Sequence, residues 1–259
     1  MNKTISTLSI LLSLTVSIHA QPISKENKKQ IEHLKKVALE INEFSFYLGT
    51  QGVHQIKERG EEKSKKVVQL NQDDLATKIA YNYRGYKTTK TYSYHFPNNH
   101  TLEVHETYNA PKESQAFLHK IYFNHRQELI GFEILQNDKV ILQGKEFRYK
   151  NNRLVSYKRG GGKIGFDTVL LTYNKDNQTI KKTKNIRINE RDVTSITLFK
   201  YNHLGFLTDL IFTNDFVTPG EQKTEKHLKY SDFDVHGDWQ KAEWIHNNSA
   251  SLSAKRKLK

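Results

Sequence analysis

The chain of 259 residues contains no cysteine, and its 41 Lys and Arg against 28 Asp and Glu give a formal net charge of +13. The absence of cysteine excludes disulfides, thiolate metal sites and cysteine nucleophiles. The positive surplus favours anionic polymers as partners, such as lipopolysaccharide, acidic glycans or nucleic acid.

Residues 1–20 have the composition of a secretory signal peptide. Lys3 is their only charged residue, and the apolar stretch Ile5–Ile18 is followed by the small residue Ala20. The stretch is shorter than the roughly 20 residues of a transmembrane helix, so cleavage is favoured over a membrane anchor. Because eukaryotic secreted chains usually carry disulfides, the sequence predicts a bacterial protein, periplasmic or secreted, that does not span the membrane after signal cleavage.

Residues 21–78 are predicted to hold a helix, a first strand and a polar loop. Apolar residues recur at helical spacing behind a candidate N-cap, Ser24, which predicts a short helix over Ser24–Lys36. The sequence LEINEFSFYL at Leu39–Leu48 predicts the first strand. The charged stretch KERGEEKSKK at Lys57–Lys66 predicts a long hairpin tip or a mobile loop, with a helix as the alternative.

Apolar and polar residues alternate with a period of two through residues 79–259. In Tyr92–Phe96 and Val169–Tyr173, for example, every second residue is apolar. One apolar face and one wet face are typical of antiparallel hairpins rather than of buried parallel strands. The region is therefore predicted to be a β-hairpin repeat domain.

A short motif recurs in this region: an aromatic residue, Asn or another polar residue, two variable residues, Gly or Asn, and an apolar residue. The clearest copy is YNHLGFL at Tyr201–Leu207. Six further copies are Tyr81–Lys87, Phe96–Leu102, Phe123–Leu129, Tyr149–Leu154, Tyr173–Thr179 and Phe233–Trp239. We expect the aromatic residue to end one strand, Asn or Gly to form the turn, and the apolar residue to open the next strand. The alternative is that a Tyr-rich chain matches the motif by chance.

The recurring unit, and YSDFDVHGDWQKAEW at Tyr230–Trp244 in particular, resembles the YD-repeat (Rhs-like) β-hairpin proteins that bacteria export. The resemblance implies a chain of antiparallel hairpins, often without catalytic residues of its own. In four copies another residue replaces the turn Gly: His100, Gln127, Asn152 and Asn177. The enclosing shells of that family also use many more repeats. The predicted fold is therefore all-β, a long antiparallel meander of repeated hairpins forming a twisted open sheet or half-barrel, with a short N-terminal helix after the signal peptide.

Residues that could carry catalysis or bind a metal show only weak patterns. Four His crowd two predicted hairpins beside two acidic residues: His95, His105, His119, His125, Glu103 and Glu106. A metal site would need two of these His on one sheet face, and cross-strand pairs on the wet face are the favoured interpretation. No GxSxG or HExxH motif occurs, so the sequence predicts no enzymatic activity, no metal and no cofactor. An envelope hydrolase acting on glycan or peptide is the alternative, with His105, His119 and Glu103 as its candidate residues.

Positive charge concentrates in the middle of the chain. Ten cations there, the predicted basic set, are the candidate polymer-binding residues: Lys145, Arg148, Lys150, Arg153, Lys158, Arg159, Lys181, Lys182, Lys184 and Arg187. The pattern itself favours the other interpretation, that these cations solubilise the wet face of a sheet and protect its edges from pairing. The sequence thus predicts an exported, non-enzymatic binding or scaffold module at the bacterial cell envelope. Its expected partner is an anionic polysaccharide, lipopolysaccharide or an envelope protein, without a specific nucleic acid; an accessory role in a larger exported complex is a further alternative.

Overall fold

The structure is a computed structural model that describes residues 23–37, 41, 55–60, 64–73, 75–161, 165–188, 191–214, 225–235, 237–246 and 249–258. Within these ranges the chain forms one helix, α1 (Lys25–Val37), and sixteen strands. The strands are β1 (Gln55–Gly60), β2 (Lys65–Leu70), β3 (Ala76–Tyr83), β4 (Tyr86–Asn98), β5 (Thr101–Ala110), β6 (Glu113–Phe123), β7 (Leu129–Gln136), β8 (Lys139–Lys150), β9 (Arg153–Gly160), β10 (Phe166–Tyr173), β11 (Thr179–Ile188), β12 (Arg191–Tyr201), β13 (Leu207–Asn214), β14 (Glu225–Phe233), β15 (Trp239–His246) and β16 (Ser249–Leu258).

The sixteen strands form a closed antiparallel barrel. Each strand pairs with its sequence neighbours, and β1 pairs with β16 from Ile56↔Leu258 to Gly60↔Ala254. The predicted all-β antiparallel meander with a short helix is confirmed, but the predicted open sheet or half-barrel is wrong. Closure satisfies the backbone groups that an open sheet would leave unpaired at its two edges.

The N-terminal region contributes both the helix and the first two strands of the barrel. Ser24 caps α1, since its Oγ accepts a hydrogen bond from the Asn27 N–H at 3.1 Å, and the predicted helix is confirmed. The polar stretch 57–66 is a hairpin of β1 and β2, with its tip at 61–63 outside the described residues. The predicted signal peptide also lies outside them, as does the predicted strand Leu39–Leu48 except for the buried Ile41.

The apolar core lies inside the barrel. Fully buried side chains of α1 and of strands from β2 to β10 form one cluster that includes Leu34, Val68, Leu102, Ile121, Leu154 and Val169. A helix of 13 residues is about 20 Å long, whereas nine neighbouring strands span roughly 43 Å. The helix cannot cover them from outside, so these side chains are buried because the sheet curves around them. Residues directly opposite a core residue share its face, which identifies the interior face of each strand.

Six of the seven motif copies turn at the same end of the barrel, here called the repeat end. They follow the even-numbered strands from β4 to β14. The seventh, Tyr81–Lys87, connects β3 to β4 and therefore turns at the opposite end, which explains its short separation from the next copy. Helix α1 lies at the repeat end, where the Gln30 side chain donates to the Asn99 carbonyl at 2.6 Å and to the Gln127 Oε1 at 2.8 Å.

The Asn of the motif builds the turn. Asn202 Oδ1 accepts the N–H groups of Leu204 and Phe206 at 3.0 and 2.9 Å, and Asn202 N–H donates to the Phe206 carbonyl. The same bonds form at Asn124 and Asn174. The residue three positions after the Asn or Asp has a positive φ, at Gln127, Asn177, Gly205 and Gly237. Replacement of Gly by Gln or Asn therefore keeps the reversal, and the predicted turns are confirmed.

A tyrosine at or near the start of four motif copies ties neighbouring strands together; Tyr149, Tyr173 and Tyr201 are the aromatic residue of their copy, and Tyr94 lies two residues before Phe96. Tyrosines near the ends of even-numbered strands donate a hydrogen bond to a carbonyl at the start of the strand before: Tyr94 to Ala76 at 2.6 Å, Tyr149 to Leu129 at 2.8 Å, Tyr173 to Leu154 at 2.6 Å and Tyr201 to Thr179 at 2.9 Å. The repeat is thus explained by architecture, and functional chemistry has to be sought elsewhere on the barrel.

Candidate anion-binding surface

The barrel separates the predicted basic set into outer and interior residues. Register places Lys182 opposite Leu171 and Lys184 opposite Val169, both of them core residues, so these two lysines face the interior. Arg159 lies opposite the buried Asp167 and also faces inward. The side chain of Arg187, on β11, is outside the described part of the structure.

Two of the three interior cations pair with one carboxylate. Lys184 Nζ lies 3.0 Å and Arg159 Nε 3.8 Å from Asp167 Oδ2, and Lys182 is buried nearby on the same face. An ionised carboxylate inside a protein is stabilised by such partners. These residues are positioned to balance buried charge rather than to meet a polymer outside.

Six members of the set lie on the outer face: Lys145, Arg148, Lys150, Arg153, Lys158 and Lys181. Lys181 is isolated on β11. The other five occupy two neighbouring strands and are here called the β8–β9 basic surface. The structure therefore brings together half of the predicted set.

Two pairs of cations face each other directly across the β8–β9 ladder. Lys145 is opposite Lys158, and Lys150 is opposite Arg153. Like charges directly opposite in a sheet are destabilising, so each pair concentrates positive potential at a cost. Lys145 Nζ lies 3.8 Å from the centroid of the exposed Phe166 ring, a cation–π contact that holds the ammonium at the surface.

One carboxylate offsets part of this charge. Glu146 occupies a bulge in β8 with φ of +57°, and its Oε2 lies 2.8 Å from Lys158 Nζ. The hydrogen bond from Lys158 lowers the pKa of Glu146, so this carboxylate stays ionised. Five cations with one acidic neighbour still leave the surface strongly positive.

The histidines considered for a metal or for hydrolysis are divided between the two faces of the sheet: His95 lies outside, directly opposite Glu103, whereas His119 lies inside. Glu106 lies opposite the buried Tyr92 and faces the interior, so the adjacent His105 and the residue Glu103 face outward. His119 lies inside, opposite Val104. Among the described residues no three His, Asp or Glu form a cluster that could hold a metal ion.

The interior holds a second ionic cluster that sequence reasoning missed. Glu106 and His119 are each 2% exposed, and His119 Nε2 lies 3.1 Å from Glu106 Oε2. Lys90 Nζ lies 2.7 Å from Glu106 Oε1. The sequence already indicated that His119 faces inward, because it alternates with Phe117 and Ile121 and so shares the apolar face. The burial of Glu106 and His119 closes this cluster to a polymer.

Comparison with known proteins gives no family. No family model and no curated protein matches the chain. A porin-like protein from Bacteroides uniformis ATCC 8492 is similar in structure, with 9% sequence identity and a TM-score of 0.48 over 81% of this chain and 99% of that one. A likeness this distant assigns neither family nor activity, and the YD-repeat relationship stays a prediction. In the described part of the chain, no helix has the length and apolar character needed to cross a membrane.

Proposed function

We propose that the protein is an exported, non-enzymatic β-barrel of the bacterial cell envelope that binds an anionic polysaccharide through the β8–β9 basic surface. The observation that carries the proposal is the double like-charge pairing of Lys145 with Lys158 and of Lys150 with Arg153. A polyanion placed along these pairs would relieve their repulsion and release the counterions that they hold.

Closure of the barrel weakens one alternative explanation of these cations. Lys and Arg on an open sheet protect its edge strands from pairing with other chains. Strands β8 and β9 each have two paired neighbours, and the barrel has no free edge among its sixteen strands. Edge protection therefore does not account for the β8–β9 basic surface, which leaves solubility or ligand binding as its role.

The outer face of β4 suits contact with water or with a polar polymer, whereas that of β10 exposes Phe166 and Leu170. The outward residues of β4 as far as His95 are all polar: Lys87, Thr89, Thr91, Ser93 and His95. Strands that face lipid present an apolar band about 25 Å tall, and β4 has none. The polar outer face of β4 supports contact with an aqueous compartment on this side of the barrel, as expected for a periplasmic or secreted protein.

Retention on immobilised heparin, a sulfated polysaccharide, tests the proposal. The test variant removes four charges of the β8–β9 basic surface: Lys145→Gln, Lys150→Gln, Arg153→Gln and Lys158→Gln. The control removes four charges from exposed turn or strand-end cations that do not oppose one another: Lys112→Gln, Arg126→Gln, Lys139→Gln and Lys175→Gln. We expect the test variant to elute at clearly lower salt than both the native protein and the control. Equal elution of test and control variants would show that only net charge matters and would refute the assigned surface.

A further inference from the structure

A second group of cations crosses the strands at which the barrel closes. Lys241 on β15 is directly opposite Lys255 on β16, Lys255 is opposite Arg59 on β1, and Arg59 is opposite Lys65 on β2. These four residues, here called the seam stripe, therefore form one row perpendicular to four consecutive strands. Adjacent strands are about 4.8 Å apart, so the row is roughly 15 Å long.

The seam stripe lies on the outer face. Lys255 follows Ala254, which is opposite the buried Ala242 and so faces inward. Arg59, Lys65 and Lys255 are all exposed. Within the described residues, no ion pair involves these three.

Lys241 differs from the other members because Glu243 holds it. Its Nζ lies 2.8 Å from Glu243 Oε1, and that hydrogen bond raises the pKa of Lys241. Lys241 therefore remains charged, although its neighbour cancels part of its field. A second like-charged pair, Lys57 opposite Lys257, lies next to the stripe on the same face and restores the positive balance.

The seam stripe and the β8–β9 basic surface lie on opposite sides of the barrel. Going round the sheet in either direction, β8 is eight strands from β16 and β9 is eight strands from β1. A circular barrel of sixteen strands tilted by about 40° is roughly 32 Å across between strand axes. Because the Debye length is about 8 Å at physiological ionic strength, the two surfaces are electrostatically independent. A polymer segment bound to one surface faces away from the other.

The chemistry around the stripe favours an acidic polysaccharide over a single-stranded nucleic acid. Proteins that bind single strands combine cations with aromatic rings on which the bases stack. The outward neighbours two residues along β1, β2 and β16 are Lys57, Val67 and Lys257, none of which offers a ring. On β15 the residue two positions before Lys241 is Trp239, and its ring is already covered by the Arg256 guanidinium, 4.0 Å from the ring centroid. A straight row of cations instead matches a linear chain with regularly repeated carboxylate or sulfate groups.

We propose that the seam stripe is a second binding site for an acidic polysaccharide and that the barrel, with sites on opposite sides, crosslinks two polymer chains. The crosslinking rests on the function proposed for the β8–β9 basic surface, whereas binding at the seam does not. The protein would then hold the polymer chains of an anionic matrix together, in addition to binding to that matrix.

Stoichiometry and crosslinking can be measured with heparin of two lengths. Calorimetry with a short heparin oligosaccharide counts the sites, and light scattering with long heparin reports crosslinked particles. The seam variant carries Arg59→Gln, Lys65→Gln, Lys241→Gln and Lys255→Gln, and it is compared with the β8–β9 variant and with the charge-matched control described above. Far-UV circular dichroism and thermal midpoints confirm that each variant is folded.

We expect two oligosaccharides per native barrel, one per barrel in either surface variant, and two in the control. Scattering with long heparin should fall at least tenfold in both surface variants and stay unchanged in the control. Two bound oligosaccharides in the seam variant would overturn the second site while leaving the β8–β9 site in place. If the seam variant binds one oligosaccharide fewer than the native protein while the β8–β9 variant still binds two, the function proposed above is refuted. Displacement of the seam-bound oligosaccharide by single-stranded DNA at lower concentration than by free heparin would overturn the assignment to polysaccharide.

Discussion

Gly144 lies directly opposite Phe132 in the interior of the barrel, and the Phe132 ring leaves no space for a side chain there. A Cβ on Gly144 would lie 2.2 Å from Phe132 Cε1, 2.6 Å from Cδ1 and 2.8 Å from Cζ. Phe132 is 1% exposed and its ring packs edge-on against Phe147 at 6.3 Å, so it cannot swing into solvent. Gly144→Ala should therefore force a rearrangement of the core.

The expected cost of Gly144→Ala is about 1–3 kcal/mol, the usual range for adding a methyl group to a packed core. Alanine also makes the unfolded chain less flexible than glycine does, which stabilises the folded protein by about 0.4–1 kcal/mol. The net loss in free energy of unfolding should therefore be about 1–2 kcal/mol. For a domain of this size that corresponds to a fall in thermal midpoint of about 2–8 °C. Urea unfolding followed by circular dichroism measures the same difference directly.

Gly131→Ala is the matched control. Gly131 is also a buried strand glycine, but a Cβ there would meet the Gly144 carbonyl oxygen at 3.4 Å and Tyr122 Cδ2 at 3.5 Å, which are ordinary contacts. We expect this variant to be neutral or slightly more stable than the native protein. Equal destabilisation by the two substitutions would show that the Phe132 ring is not the obstacle and would refute the packing described here.

Three further changes test the hydrogen bonds and buried charges of the barrel. Tyr173→Phe removes the 2.6 Å hydrogen bond to the Leu154 carbonyl and should cost about 1 kcal/mol in urea unfolding; no loss would mean that the tyrosine hydroxyls do not tie the strands. The Nε2 of His33 lies 3.2 Å from the Tyr149 hydroxyl, and burial lowers the pKa of His33. The stability that His33 contributes to the fold is therefore present above about pH 6.5 and is lost as the pH falls below that value. The thermal midpoint should then fall less between pH 7.5 and 5 in His33→Gln than in the native protein, and identical pH profiles would contradict this. Glu106→Leu should destabilise the fold by roughly 3–5 kcal/mol, because it removes the buried carboxylate that pairs with Lys90 and lies within hydrogen-bond distance of His119; a neutral effect would show that the cluster is dispensable.

Local chemistry made the turns predictable from the sequence. An Asn that accepts two backbone N–H groups and a Gly with positive φ are set by residues within one loop, so Tyr201–Leu207 could be identified without any knowledge of its neighbours. The turn at Asn71 has the same two Oδ1 bonds, to Asp73 and Leu75, but follows Leu70 instead of an aromatic residue. A search based on the aromatic residue missed it for that reason.

The direction of individual side chains was harder to predict, because bulges shift the period of two. The ladder between β8 and β9 shifts register on either side of Arg148, and the ladder between β10 and β11 shifts at Thr172 and Tyr173. In β11 the apolar residues Ile186 and Ile188 are in phase with Lys182 and Lys184, and Ile186 lies opposite the buried Val193 on the interior face. This weak alternation indicated that Lys182 and Lys184 face inward and Lys181 outward, but a prediction based on the local count of charges did not use it.

Closure escaped prediction because the two strands that close the barrel carry the least apolar signal. Among the side chains that the structure describes, the core cluster is supplied by α1 and by strands from β2 to β10, and none from β1 or β16 belongs to it. Both strands carry Lys and Arg at outward positions such as Arg59 and Lys255. One of the charged residues at β1 that led to the prediction of a polar loop there, Arg59, thus belongs to the seam stripe. In this barrel, the strands that are hardest to recognise from hydrophobic pattern are those that concentrate positive charge opposite the β8–β9 basic surface.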